Sequence, residues 1–448
     1  MKKTKKLFPF ALIACISLNI LPLSGCSTSS AENVLRVASW DEYIDEGGED
    51  SYVEGSSPLY EDFEVWYEET YDKEITVEYV TLQDNETMYN KIKMGDSYDL
   101  LCPSEYMIMK LAEEDLLQKL PASFFDENNE HNYYVKYLSP YIQEVFNAGT
   151  MHDGSKWSEY TAGYMWGSTG FVYNPETVDY NDVKSWKVFL NEKYSRKITA
   201  KDNVRDSYFA GLGMYYEDLL LAEKAKFEAD PSRETAYKQT LFDKMNDTDC
   251  MTEVQKLLEK MRGNLYGLET DEGKLDIVTG RFDISYQWSG DAVYTLDMGE
   301  DDEITSEPLY LEYCIPEAAS NLWFDGWVLM KDSKNVDAAT AFINFLSLPE
   351  NVVRNMYYIG YTSCIGGEEV YSYIEATYGA DEEETDTAEY DLSYFFGDGH
   401  TLTTYSDQIH RQLFAQYPDR ETINRLVVMQ YFDKDANTRA NRMWNNIK

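Results

Sequence analysis

The chain has 448 residues, with 81 acidic side chains against 39 basic ones and a formal charge of -42. Such a balance excludes a phosphate-backbone partner, because no basic footprint for nucleic acid is present, and it raises the local concentration of cations instead. The length allows two lobes with cores of their own, and the aromatic content of 15%, led by 38 tyrosines, is high for so polar a chain.

Residues 1–25 read as an export signal: Lys2, Lys3, Lys5 and Lys6 lead into an apolar stretch from Leu7 to Leu23, broken by Pro9 and Pro22. The stretch closes on Leu23-Ser24-Gly25-Cys26, which resembles the lipobox of bacterial lipoproteins and implies cleavage before Cys26 and lipidation of its thiol. Four lysines and no acid leave with the signal, which takes the charge from -42 to -46. Residues 26–33 then form a short anchored tether, on an exported protein held at the outer face of a membrane.

From Val34 onward, short apolar runs alternate with helical periodicity. Val34 to Ser39 reads as a strand, Leu59, Phe63, Trp66 and Tyr67 share a helical face, and Ile75 to Thr81 is a strand again. Asn85 is the expected N-cap of a helix through Met94 that Gly95 ends, and Tyr98 to Cys102 is a third strand running into Pro103-Ser104 and another helix. This is βαβ order, hence an α/β lobe with a largely parallel sheet. A second series starts with Tyr164 to Tyr173, so a lobe boundary falls near Gly163. It continues with a helix near Val183 to Glu192 and strands at Arg196 to Ala200, Phe282 to Trp288, Leu309 to Ile315 and Trp323 to Met330. The last of these precedes a helix with Ala339, Phe342, Ile343 and Leu346 on one face.

The acidic stretches Gly299 to Glu307 and Ala380 to Glu389 are read as solvated loops, since neither has the spacing of a calcium cage. Cys102, Cys250, Cys314 and Cys364 are too scattered for a zinc site, and Cys102 and Cys314, in apolar runs, are expected as buried thiols. His131, His152, His400 and His410 lie on polar segments and are expected at the surface. No metal site and no cofactor is expected.

Aromatic and acidic residues gather where strands end: Trp40-Asp41-Glu42-Tyr43, Ser104 with Tyr106, Trp288 with Asp291, and Trp323 with Asp325. Open α/β sheets place ligands at such ends. An organic amine with a pKa near ~10 stays charged at neutral pH, so its ends need carboxylates while its stem and charge favour aromatic faces.

The order of Ser39-Trp40-Asp41-Glu42-Tyr43, Asn85-Glu86-Thr87-Met88-Tyr89, Tyr98-Asp99-Leu100-Leu101-Cys102-Pro103-Ser104 and Tyr164-Met165-Trp166-Gly167-Ser168-Thr169-Gly170 resembles the spermidine/putrescine-binding proteins of bacterial ABC importers. Trp288-Ser289-Gly290-Asp291, Trp323-Phe324-Asp325 and Ala341-Phe342-Ile343-Asn344-Phe345-Leu346 extend that resemblance over most of the chain.

The resemblance implies a two-lobed periplasmic-binding-protein-like fold of type II, each lobe a mostly parallel sheet flanked by helices, with a hinged cleft between. Lobe 1 would comprise 34–163 and 325–367, and lobe 2 would comprise 164–324 and 368–448. It implies a monomer that binds putrescine or spermidine, no enzymatic activity, and delivery to a permease whose ATPase is a separate chain; no Walker phosphate loop occurs in this sequence.

Trp40, Tyr43, Tyr106, Trp288 and Trp323 would form an aromatic box, Ser104 would hydrogen-bond one end, and Asp325 would bind an ammonium. Asp291 and Glu42 match positions where some members carry an acid, and Asp206 matches another acidic ligand segment. Asp41 stands where the family often has Ser or Thr, and Asn203 where spermidine binders commonly have aspartate; the loss of that carboxylate with Asp291 retained leans toward putrescine or a similar diamine. Gln430 is read as structural, and 368–408 as an insertion. The competing readings are a sugar- or metal-binding lipoprotein on the same fold and a secreted glycoside hydrolase with paired carboxylates.

Overall fold

Strand β1 (Val34–Trp40) buries Leu35, Val37 and Ala38 and lies parallel to β2 (Thr76–Leu82) on one side and β3 (Leu100–Leu101) on the other. These belong to a computed structural model that describes residues 33–269, 272–301 and 308–448. The signal, Cys26 and most of the tether fall outside the described residues, as do 302–307 of the first acidic stretch.

The chain adds β4 (Leu117–Gln118), β5 (Thr161–Tyr173), β6 (Ile198–Lys201), β7 (Gly267–Glu269), β8 (Ile284–Trp288), β9 (Glu312–Cys314), β10 (Ser320–Met330) and β11 (Thr362–Ser363). The sheet order is β2-β1-β3-β10-β5-β8-β6-β7, with β4 on β10 and both β9 and β11 on β5. The architecture is a two-lobed α/β fold with two cores, and β5 contributes buried residues to both.

Pairing is parallel at the outer ends, where β1 meets β2 and β3 and β6 meets β7 and β8. At the centre it is antiparallel: β10 on β3 and β5, and β5 on β8. The expected mostly parallel lobes are thus joined through two long antiparallel strands. All 13 residues of β5 are buried, which explains its continuous run of small and apolar side chains. One core gathers Leu35, Phe63, Leu100, Phe146, Trp327 and Phe342; the other gathers Trp186, Phe209, Leu258, Tyr286 and Trp444. From the C-terminal segment, Val370, Ile374, Phe395 and Tyr417 pack in the first core, and Val427, Ala440 and Trp444 in the second.

Local corrections have local causes. Asp84, not Asn85, caps the helix Asn85–Met94 by accepting from the Thr87 N–H, which leaves the Asn85 side chain free for Ser104. Tyr98 to Cys102 is strand only at Leu100–Leu101. The expected helix near Val183 to Glu192 is a short helix, Tyr180–Val183, then two tight 3-10 turns, because Ser185 and Asn191 each accept a backbone N–H and restart the chain. The second acidic stretch is not all loop, since Thr387–Asp391 pairs with Thr401–Tyr405 as a hairpin. All four described cysteines are free and buried. Only His152 is fully exposed; His131, His400 and His410 are half-buried against Trp66, Tyr371 and Tyr180.

Candidate functional site

The β5/β10 ladder slips by one residue between Asp325 and Gly326, a bulge that re-aims the Asp325 side chain. Asp325 meets Ser104 across an isolated bridge, so the segment leaving β3 comes against the middle of β10 there. Its carboxylate is 6% exposed and accepts from Tyr43 Oη at 2.7 Å, Trp40 Nε1 at 3.3 Å and the Ser104 hydroxyl. Asn85 fixes Ser104 from both sides, donating to its Oγ at 2.9 Å and accepting its N–H at 3.0 Å. Burial pushes the Asp325 carboxyl above its ordinary range, and the three donors only partly offset this. No salt-bridge partner faces Asp325 among the described residues.

From Asp325 a ring of contacts passes through both lobes. Tyr43 packs edge-on to Tyr361 at 6.1 Å, and Tyr361 packs on Trp323 at 5.3 Å and donates to Asp291 at 3.2 Å. Asp291 is paired with Lys201 at 3.2 Å and with Lys274 at 2.9 Å. The Lys201 ammonium lies 3.5 Å from the centre of the Trp288 ring. Trp288 hydrogen-bonds Asp206, and Arg205 stacks 3.7 Å over Tyr106, two residues from Ser104. The Arg205 guanidinium also donates to the Gln430 carbonyl, so Gln430 joins through its backbone.

Close packing holds this geometry. A Cβ on Gly290 would come within 1.9 Å of the Tyr361 ring, and one on Gly167 within 2.5 Å of Trp323. Trp323 is locked further by donating from Nε1 to the Ser168 carbonyl at 3.1 Å. Asn203 caps the helix Val204–Ala229, accepting from the N–H groups of Arg205 and Asp206.

Charges around the ring differ in state. Burial pushes Asp291 up, but Lys201 and Lys274 outweigh it and hold the carboxyl below its usual range. Asp206, 6% exposed, is pushed up by burial despite Lys201 and Arg205 nearby. Glu105, 3% exposed, is pushed up to about 8 by burial, with Arg205 pulling it down and Asp325 pushing it further up.

The Glu105 shift has a definite sign in stability. The unfolded chain releases this proton near the ordinary value of 4.5, while the folded chain holds it until about 8, so its contribution to stability falls as pH rises across that window. Melting wild type and Glu105→Gln at pH 5 and pH 8 should show a smaller pH-dependent loss in the variant; equal losses would refute the buried, protonated acid.

The expected site residues divide by position. Trp40, Tyr43, Ser104, Tyr106, Asp206, Trp288, Asp291, Trp323 and Asp325 all lie on the ring. Asp41 and Glu42 do not join it: both are exposed at the turn after β1, where Glu42 takes a positive φ of 51°. Tyr106 does not present a bare face, because Arg205 covers it.

The profile of the bacterial extracellular solute-binding proteins matches residues 59–367, more than half of the chain. This chain belongs to that family. As a solute-binding protein, it is 24% identical over 336 residues to the spermidine/putrescine-binding periplasmic protein of Salmonella typhimurium, covering 74% of this chain and 78% of that one. It is 22% identical over 411 residues to spermidine/putrescine-binding periplasmic protein 1 of Haemophilus influenzae, covering 91% and 93%. Among solved structures, the spermidine/putrescine ABC transporter substrate-binding protein PotD of Streptococcus pneumoniae superposes with a TM-score of 0.59 at 25% identity, covering 93% of this chain and 98% of that one. The TpPotD lipoprotein of Treponema pallidum shares the fold, with a TM-score of 0.57 at 17% identity. No helix among the described residues is long and apolar enough to cross a membrane.

Residue order alone did not single out four members of this binding protein's ring: Tyr361, Lys201, Arg205 and Glu105. Tyr361 follows the αL Gly360 that ends the helix Pro349–Ile359, a helix-stop signal that marks where the chain re-enters the sheet. Lys201 carried a fainter cue, a lysine at the end of an otherwise apolar strand.

Proposed function

We propose that this solute-binding protein captures a polyamine, putrescine or spermidine, between its lobes and presents it to an ABC permease driven by a separate ATPase chain. The observation that carries the reading is Asp325: a buried carboxylate that accepts from Trp40, Tyr43 and Ser104, faces no cation of the protein among the described residues, and is surrounded by aromatic rings. A carboxylate desolvated in that way gains most from a ligand ammonium, which in turn cannot be buried without a charged partner. Trp40, Tyr43, Tyr361 and Trp323 supply flat faces for the methylene stem and charge.

Asp206, beside Trp288 on the same ring, serves a second ammonium. The names of the Salmonella, Haemophilus and Streptococcus relatives point to the same ligand class. Closure of the lobes around the ligand is the signal the permease reads. Lipidation at Cys26 keeps the monomeric protein at the outer membrane face, within reach of that partner.

Thermal melting against a panel tests the ligand class. At a hundredfold excess over the dissociation constant, a ligand stabilises its receptor by about 2.7 kcal/mol, enough to shift the melting temperature by several degrees. Putrescine or spermidine should produce this shift, and maltose and ferric citrate should not. A shift with the sugar or the iron complex alone would replace the amine reading.

A further inference from the structure

The ring of contacts already holds an ammonium at Trp288. Lys201 is 2% exposed and belongs to the protein itself; its Nζ sits 3.5 Å from the centre of the Trp288 ring and 3.2 Å from Asp291 Oδ2. An aromatic face with a carboxylate beside it is the seat a ligand amine requires. Lys201 therefore stands where a charged end of a long polyamine would go. Asp291 is satisfied twice over, because Lys274 meets its other oxygen at 2.9 Å. Asp325 and Asp206, by contrast, meet no salt-bridge partner among the described residues, and Glu105 is turned to the Phe324 N–H, from which it accepts at 3.4 Å. Arg205 is committed to the Tyr106 face and the Gln430 carbonyl.

We infer that Lys201 is a specificity-determining residue that fills the third ammonium seat of the cleft, so that the site takes a diamine and rejects a triamine. The inference rests on the polyamine reading above. Two carboxylates remain for two ligand charges. A third ligand ammonium would have to share Trp288 and Asp291 with Lys201, and like charges a few ångström apart in a low-dielectric cleft repel strongly. Selection thus comes from a built-in competitor and not from cleft length alone.

The test uses the mature anchored protein, purified from membranes in mild detergent, as wild type, Lys201→Met and Lys201→Arg. Methionine keeps most of the stem and removes the charge, while Asp291 keeps Lys274 and Asp206 keeps Arg205 nearby, so no buried carboxylate loses every cation. Arginine restores the charge. The reading is the ratio of spermidine to putrescine dissociation constants by calorimetry. Wild type should prefer putrescine by roughly tenfold or more, Lys201→Met should shift the ratio at least tenfold toward spermidine, and Lys201→Arg should return it toward wild type. A wild type that binds both amines equally, or a ratio unmoved by Lys201→Met, overturns the role of Lys201 and leaves the polyamine reading standing. Absence of binding by either amine in all three proteins overturns both.

Discussion

Asp325→Asn is expected to weaken putrescine binding by about 150- to 5,000-fold, on the scale of the 3–5 kcal/mol lost when one partner of a buried ion pair is removed. The ligand-free protein should melt at the same temperature or higher. Those opposite signs follow from one observation. In the free protein burial raises the pKa of this carboxyl, so its contribution to stability falls as pH rises above the ordinary carboxylate range, a loss that an amide of the same shape removes. In the complex the charge is what the ammonium needs.

The same raised pKa gives a pH signature. Protons compete with the amine as pH falls through the Asp325 pKa, so wild-type affinity should decline on acidification, and the residual affinity of Asp325→Asn should lack that component. Calorimetry at several pH values, paired with melting curves, checks both halves. A variant that binds as wild type, or that loses binding only because it unfolds, would remove Asp325 from the site.

The second large effect lies beneath the site. Asp45, fully buried after β1, accepts from Arg354 Nε at 2.7 Å, Ser51 Oγ at 2.7 Å and the Gly47 N–H at 2.8 Å. Arg354 also donates to Asp62 at 2.8 Å, to Ser56 Oγ at 3.0 Å and to the Ser57 carbonyl at 2.8 Å. One guanidinium therefore ties the loop after β1 to the helices Leu59–Tyr71 and Pro349–Ile359. Arg354→Met strands Asp45 as an unpaired buried charge and should destabilise the fold by about 3–5 kcal/mol, read as a lower denaturant midpoint in chemical unfolding. Replacing both partners, as Asp45→Asn with Arg354→Met, should recover part of the loss. A single variant within about 0.5 kcal/mol of wild type would show that the pair carries no net weight.

The strands and most of the ring were legible because their signals are local. Val34 to Ser39, Ile75 to Thr81 and Trp323 to Met330 are short apolar runs bounded by polar residues, and Trp40, Tyr43, Ser104, Trp288 and Asp325 stand beside their ends or at a break in pairing. The bulge at Asp325 was not legible, since it arises from register against β5, a pairing between segments some 160 residues apart.

Lys201 and Glu105 were missed for a related reason. A lysine next to Asp202 and a glutamate opening a helix read as solvated charges, and only tertiary packing buries them to 2% and 3% exposure. Asp41 and Glu42 illustrate the converse. They flank ring residues in the chain, yet the turn after β1 points them to solvent while Tyr43 turns inward. The half-buried histidines depended on aromatic neighbours far away in sequence, such as Trp66 for His131.

Calorimetric titration of the full-length protein with putrescine is the most direct measurement. One saturable site per chain, with a negative heat-capacity change from closure over the aromatic ring, is the predicted result. Absence of heat with putrescine and spermidine at millimolar concentration, from protein shown to be folded, would contradict the assignment of this cleft to a linear organic cation.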